Sequence, residues 1–205
     1  MFKSVCVIVL AAVHLGSFYG VTANPDPPTL GTLERRDTSS FFASQVTLQT
    51  AANVLAADHY SGAFPPNIPE LEGIAAHIKN CSDAYDAAII QLATTVLGGF
   101  LTASDAATLN TTYVPSSLLA ILANLNTLQA GKAFFEGVNN NPLLLTMFCH
   151  WIGDLSRHTN VFLGRLTVAA PSADYAASWS QLQSTAASQY QIWLTEDGFN
   201  CGGLF

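Results

Sequence analysis

Apolar positions along this chain recur at steps of three and four, and no segment alternates apolar with polar as a half-buried strand does. Phe41, Leu48, Ala52 and Leu55 keep helical spacing up to the breaker SGAFPPN. A second stripe runs Leu71, Ile74, Ile78, Cys81, Tyr85, Ala88, Leu92, Thr95. Pro69 stands near its start, Glu70 and Glu72 fall in its first turn, where the helix dipole favours carboxylates, and Gly98-Gly99 ends it. Thr102 and Asp105 read as a capping box with Asp in place of Glu, opening a short helix to about Leu109. Pro115 opens the next helix, which carries Leu118, Leu122, Leu125 and Leu128. After the turn NNNP, with its Asn cap, comes the most regular pattern: Leu145, Phe148, Ile152, Leu155, Thr159, Phe162 and Leu166 alternate gaps of three and four, as a helix-packing seam does. Pro171-Ser172 restarts the chain, and Tyr175, Trp179, Leu182, Ala186, Gln189 and Trp193 face inward from the last helix. These elements predict an all-α fold: an elongated antiparallel bundle of four long helices plus one short helix. The longest helix, about 28 residues, would span about 42 Å.

The ends change the picture of where this domain works. Lys3 precedes the apolar run VCVIVLAAVHL, which is too short to span a bilayer, and Val21-Thr22-Ala23 is a small-residue cleavage signal. We therefore expect a signal peptide over 1–23, cut after Ala23. A proline-rich stretch follows and ends in Arg35-Arg36, the pattern of a dibasic processing site, so 24–36 is expected to be a propeptide cut after Arg36. The helical domain then covers 37–197, with a tail over 198–205. The product is expected to be freely secreted, since DGFNCGGLF has no hydrophobic lipid-anchor tail.

Charge narrows the function. Only 10% of the chain is charged and its net charge is −7, so it is ill-suited to neutralise phosphates, and nucleic-acid binding is not expected. The surface must instead be Ala, Ser, Thr, Asn and Gln, a covering at ease next to apolar material. Once Cys6 leaves with the signal peptide, Cys81, Cys149 and Cys201 remain. That odd count permits one internal bridge and leaves open a disulfide-linked dimer. In an up-down bundle the tail returns to the start of the Pro142 helix, and Cys149 lies about 10 Å into that helix, so Cys149–Cys201 is the expected pair. Cys81 would then remain as a small buried apolar residue. The rivals are Cys81–Cys149 and a tail cysteine that joins two chains.

The stretch FCHWIGDLSRHTNVFLGRL concentrates reactive residue types. On a helix, His150, Asp154 and His158 form an i, i+4, i+8 ridge whose ends are about 12 Å apart, too far for three ligands to converge on one metal. Cys149 falls on the other flank of the seam, so no Cys–His dyad is expected. The ridge reads as a solvated face, with Asp154 pairing locally with Arg157 or His158. No GxSxG, HExxH, phosphate loop or EF-hand loop occurs, and neither metal nor cofactor is expected. Of two sequons, Asn110-Thr111-Thr112 lies in an expected loop before Pro115 and is the favoured glycosylation site; Asn80-Cys81-Ser82 is mid-helix and disfavoured.

With its helices laid out, the domain resembles the fungal hydrophobic surface-binding protein family, which includes cell wall galactomannoproteins. The resemblance rests on helix order and on LTASDAATL, LLAILANLNTLQAGKAFF and DLSRHTNVFLGRL. Three cysteines and the CGGLF ending depart from a family that is usually cysteine-poor. The resemblance implies a non-catalytic protein, secreted or wall-associated, that binds hydrophobic surfaces or fatty-acid-like lipids. The physics agrees: a bundle seamed by Ile78, Tyr85, Ile89, Leu92, Leu122, Leu125, Phe148, Ile152, Leu155, Phe162 and Trp179 can enclose an acyl chain between its helices. The competing readings are a structural cell-wall or secreted interaction protein with a solid core and no ligand, and a small secreted hydrolase.

Overall fold

In a computed structural model, residues 38–62, 65–96, 100–129, 132–195, 199 and 201 are described. The expected signal peptide, propeptide and cleavage points Ala23 and Arg36 lie outside them, as do Gly98 and Gly99. The seven α-helices of the described residues belong to one unit, residues 36–205: α1 (Ser39–Ala56), α2 (Ile68–Thr95), α3 (Ala103–Thr108), α4 (Val114–Gln129), α5 (Lys132–Asn139), α6 (Pro142–Val168) and α7 (Ala173–Leu194). No strand occurs among the described residues, so the fold is all-α.

The helix starts follow local chemistry. Glu70, in the first turn of α2, accepts hydrogen bonds from Ser61 N (2.7 Å) and Ser61 Oγ (2.6 Å), which hold its carboxyl below the usual range. Thr102 caps α3 by accepting from Asp105 N at 3.1 Å. Its hydroxyl donates to Asp105 Oδ2 at 2.7 Å, so the carboxylate satisfies the capping hydroxyl. Asn141 Oδ1 accepts from Leu143 N and Leu144 N at the head of α6. Between α3 and α4 the chain does not break as the sequence pattern suggests. A π-helical turn, Leu109–Tyr113, carries one helical path into α4. Pro115 lacks an N–H to continue the ordinary ladder, and the wider turn lies just before it.

Successive long helices run antiparallel, as expected of an up-down bundle, but their neighbours in space do not all do so. Ser82 meets His158, Tyr85 meets Phe162 and Ile89 meets Arg165, a constant offset that makes α2 and α6 parallel. Likewise Gln49 bonds Ser116 and Asp58 bonds Asn124, so α1 and α4 are parallel. The bonds Gln183–Asn160 and Tyr190–Thr159 set α7 antiparallel to α6. The resulting ring runs α1, α2, α6, α7, α4, with the α4–α7 contact closing it.

The predicted α2 stripe is buried in full, from Leu71 to Thr95. The α6 seam is buried from Phe148 to Leu166, with Leu144 taking the inward place expected of the half-buried Leu145. On α7, Trp179, Ala186 and Trp193 are buried as expected, together with Tyr190, while Tyr175, Leu182 and Gln189 are half-buried. At the α5 end, Phe134 is ringed by Tyr60, Phe135, Phe148, Trp193 and Phe199, with centroids between 5.4 and 6.1 Å. The Cys149–Cys201 disulfide pins the returning tail there, with Phe199 N donating to Trp193 O at 2.9 Å.

Candidate functional site

The reactive-looking stretch on α6 does not converge. Cys149 is buried in the disulfide. His150 is exposed, and its Nε2 lies 3.5 Å from Asp154, which also accepts from Arg157 at 2.9 Å. His158 departs from the solvated reading. It lies at the edge of the α2–α6 contact, and its Nδ1 is 2.9 Å from Ser82 Oγ and 3.1 Å from Ser82 O. A ring about 85° off the seam is near enough to the neighbouring helix to find a polar partner there instead of water. Lys79 of α2, paired with Asp83, also sits 5.1 Å from the Trp151 ring.

Another imidazole escaped the sequence pattern. His77 Nδ1 lies 2.8 and 3.0 Å from the two oxygens of Asp58, whose backbone carbonyl accepts from Asn124 Nδ2 at 2.8 Å. This knot ties the end of α1 to α2 and α4. His77 also borders a groove of about 490 Å³ between α1 and α2, beside Val46, Thr50, Val54 and Asn80. A carboxylate-oriented imidazole can act as a base, but the groove's hydroxyls, Thr47 and Thr50, donate back into α1. Among the described residues, no group of three His, Cys, Asp or Glu side chains could hold a metal.

Cys81, the cysteine outside the disulfide among the described residues, is fully buried and so is not presented at the surface to a second chain. Burial, with a smaller push from the Asp58 charge, raises its thiol to about 12. Burial likewise raises Tyr85 and Tyr190 well above the usual phenol value. Unfolded, these groups lose protons near pH 8.5 and 10; folded, they hold them to higher pH. The stability these three groups contribute is therefore full below about pH 8 and falls as pH rises, by up to about 1.4 kcal/mol per pH unit for each group ionised only in the unfolded chain. Urea midpoints at pH 7 and pH 10.5 check this, with the lower value expected at pH 10.5. Peptide mapping after iodoacetamide at pH 8 should find Cys81 unmodified in the native protein and modified in urea.

All eleven apolar seam residues are 0–6% exposed and belong to one buried cluster. They touch neither of the two grooves. The larger groove, about 820 Å³, opens on the outside where the parallel α2 and α6 end together. Ala93 of α2 and Val96 just past its end form one wall, Val161, Arg165 and Val168 of α6 the other, with Phe100 on the connection. Phe100 is 70% and Val168 78% exposed, unusual for large apolar side chains. A faint signal exists in the sequence: Val161, Gly164, Arg165 and Val168 recur at helical spacing on a face of α6 outside the main seam. An apolar trough with one cation among its described residues suits an apolar or amphiphilic ligand.

The favoured sequon also differs from expectation. Asn110 lies in the π-helical turn, not a loop, half-buried and accepting from Ser178 Oγ at 3.1 Å. Asn80 is exposed, but its Cys81 and Ser82 are buried. Among the described residues, no helix is long and apolar enough to cross a membrane. Compared with family models, curated proteins and solved structures, the chain matches none.

Proposed function

We propose that this chain is a secreted, wall-associated or free, non-catalytic protein that binds lipids of the fatty-acid type or hydrophobic surfaces. The observation that carries the reading is the apolar groove at the α2–α6 end, with Phe100 and Val168 held out to solvent. Its volume is within the roughly 300–1,000 Å³ of small-molecule sites. The low charge of the chain works in the same direction, since few ionic groups compete for water around the groove. The sequence pattern's resemblance to hydrophobic surface-binding proteins agrees with it. In the closed bundle the seams are occupied by each other, so the outer groove offers contact without parting the helices.

A second reading, a structural wall or interaction protein with a solid core, is favoured by the filled aromatic interior around Phe134, Trp179 and Trp193. Two measurements separate the readings: displacement of a fluorophore-tagged fatty acid by palmitate, and adsorption to hydrophobic beads. Binding in either assay supports the first reading. Failure in both leaves the structural role.

A further inference from the structure

Resting on that reading, we propose that the α2–α6 groove takes a single-chain amphiphile with a carboxylate head, the acyl chain lying along Val96, Phe100, Val161 and Val168 and the head pairing with Arg165. Among the described residues, the groove's lining contains no acidic side chain and Arg165 is its one charge. The other cations with described side chains are already matched: Lys79 to Asp83 and Arg157 to Asp154. Among the described residues, no carboxylate pairs with Arg165. Its Nη1 donates to the backbone carbonyl of Ile89 at 3.4 Å, a long contact, and among the described residues the guanidinium fork makes no other hydrogen bond. In a chain of net charge −7, a lone cation beside exposed apolar side chains is complementary to one negative head on an oily body. A neutral wax or an alkane would make no use of it, and a dianionic phosphate head would be left partly unmatched.

The test uses the full chain and the tagged fatty acid, displaced either by palmitate or by hexadecanol, which has the same chain and no charge. Arg165→Gln should weaken palmitate about fivefold, the scale of one solvent-exposed ion pair, and leave hexadecanol unchanged. Arg165→Lys should retain most of the palmitate affinity. Val161→Glu, at an exposed position and so compatible with folding, should weaken both ligands more than tenfold by placing a carboxylate in the trough. Val54→Glu, in the α1–α2 groove, is the control and should change neither. Wild-type affinity for both ligands in Arg165→Gln and Val161→Glu overturns the groove assignment while leaving lipid binding as the function. Equal loss of both ligands in Arg165→Gln overturns the carboxylate anchor and marks Arg165 as a structural tie between α6 and α2. A wild-type chain that adsorbs to beads but binds neither ligand overturns this inference alone. A chain that does neither overturns the proposed function as well.

Discussion

Cys201→Ser lowers the stability of the bundle by about 4 kcal/mol. The bond it removes closes a loop between positions separated by 52 residues, and fixing such a loop in the unfolded chain accounts for about 4 kcal/mol in the chain-entropy treatment. A second effect has the same sign. Phe199 is buried two residues before Cys201, and its ring lies 5.0 to 5.9 Å from Phe135, Phe148, Trp193 and Phe134. Without the covalent tie, the tail must hold this place by packing and the Trp193 carbonyl bond alone. Urea denaturation of the oxidised protein and the variant reads the difference directly. Cys149→Ser should give a similar loss, and the double variant little more than either single one, since all three remove the same bond. A change below about 1 kcal/mol would show that the tail is held without the bridge.

Phe134→Ala is expected to cost about 3–5 kcal/mol. Phe134 is fully buried and is the hub of the aromatic end: Phe148 meets it edge-on at 5.5 Å, and Tyr60, Phe135, Trp193 and Phe199 complete its surroundings. Removing the ring leaves a cavity among groups from α5, α6, α7, the tail and the α1–α2 connection, which cannot all move inward at once. Because Phe199 touches both Phe134 and the disulfide's anchor, losses from Phe134→Ala and Cys201→Ser should not add; the pair should fall short of the sum by more than 0.5 kcal/mol. Thermal melts of the four proteins in that cycle provide the check. Phe42→Ala, at the other end of the molecule against Tyr113, makes a distant comparison that should add.

How much of this could be read beforehand depends on contrast along each helix. The α2 stripe is legible to the residue because Leu71, Ile74 and Ile78 stand against Glu72, His77 and Lys79 on the same helix. On α7 the surroundings are Ala, Ser and Gln, so the pattern could not say that Tyr190 goes in and Gln189 only halfway. The structure settles it with a hydroxyl 3.3 Å from Thr159 Oγ1. Periodicity gives the buried face of a helix but not the helix it meets, which is why the parallel α2–α6 and α1–α4 pairs are absent from the sequence reading. The disulfide was legible because helix length and direction alone bring the tail to Cys149. Phe134 and Phe199 were not, since a short helix and a tail have too few turns to show a period. The outer groove was also missed: Phe100 and Val168 lie at helix ends, where stripes stop, and only the tertiary pairing of two C-termini brings them to one place.

We infer that exposed apolar side chains on a closed helical bundle, and not a reactive group or a parted interior, do this protein's work. Near-UV circular dichroism recorded while palmitate binds tests it most directly, because Trp179, Tyr190 and Trp193 are fully buried and report their packing. Saturable binding with the aromatic spectrum retained is the expected result. Saturable binding that abolishes that spectrum, as helices opening around the ligand would, contradicts it.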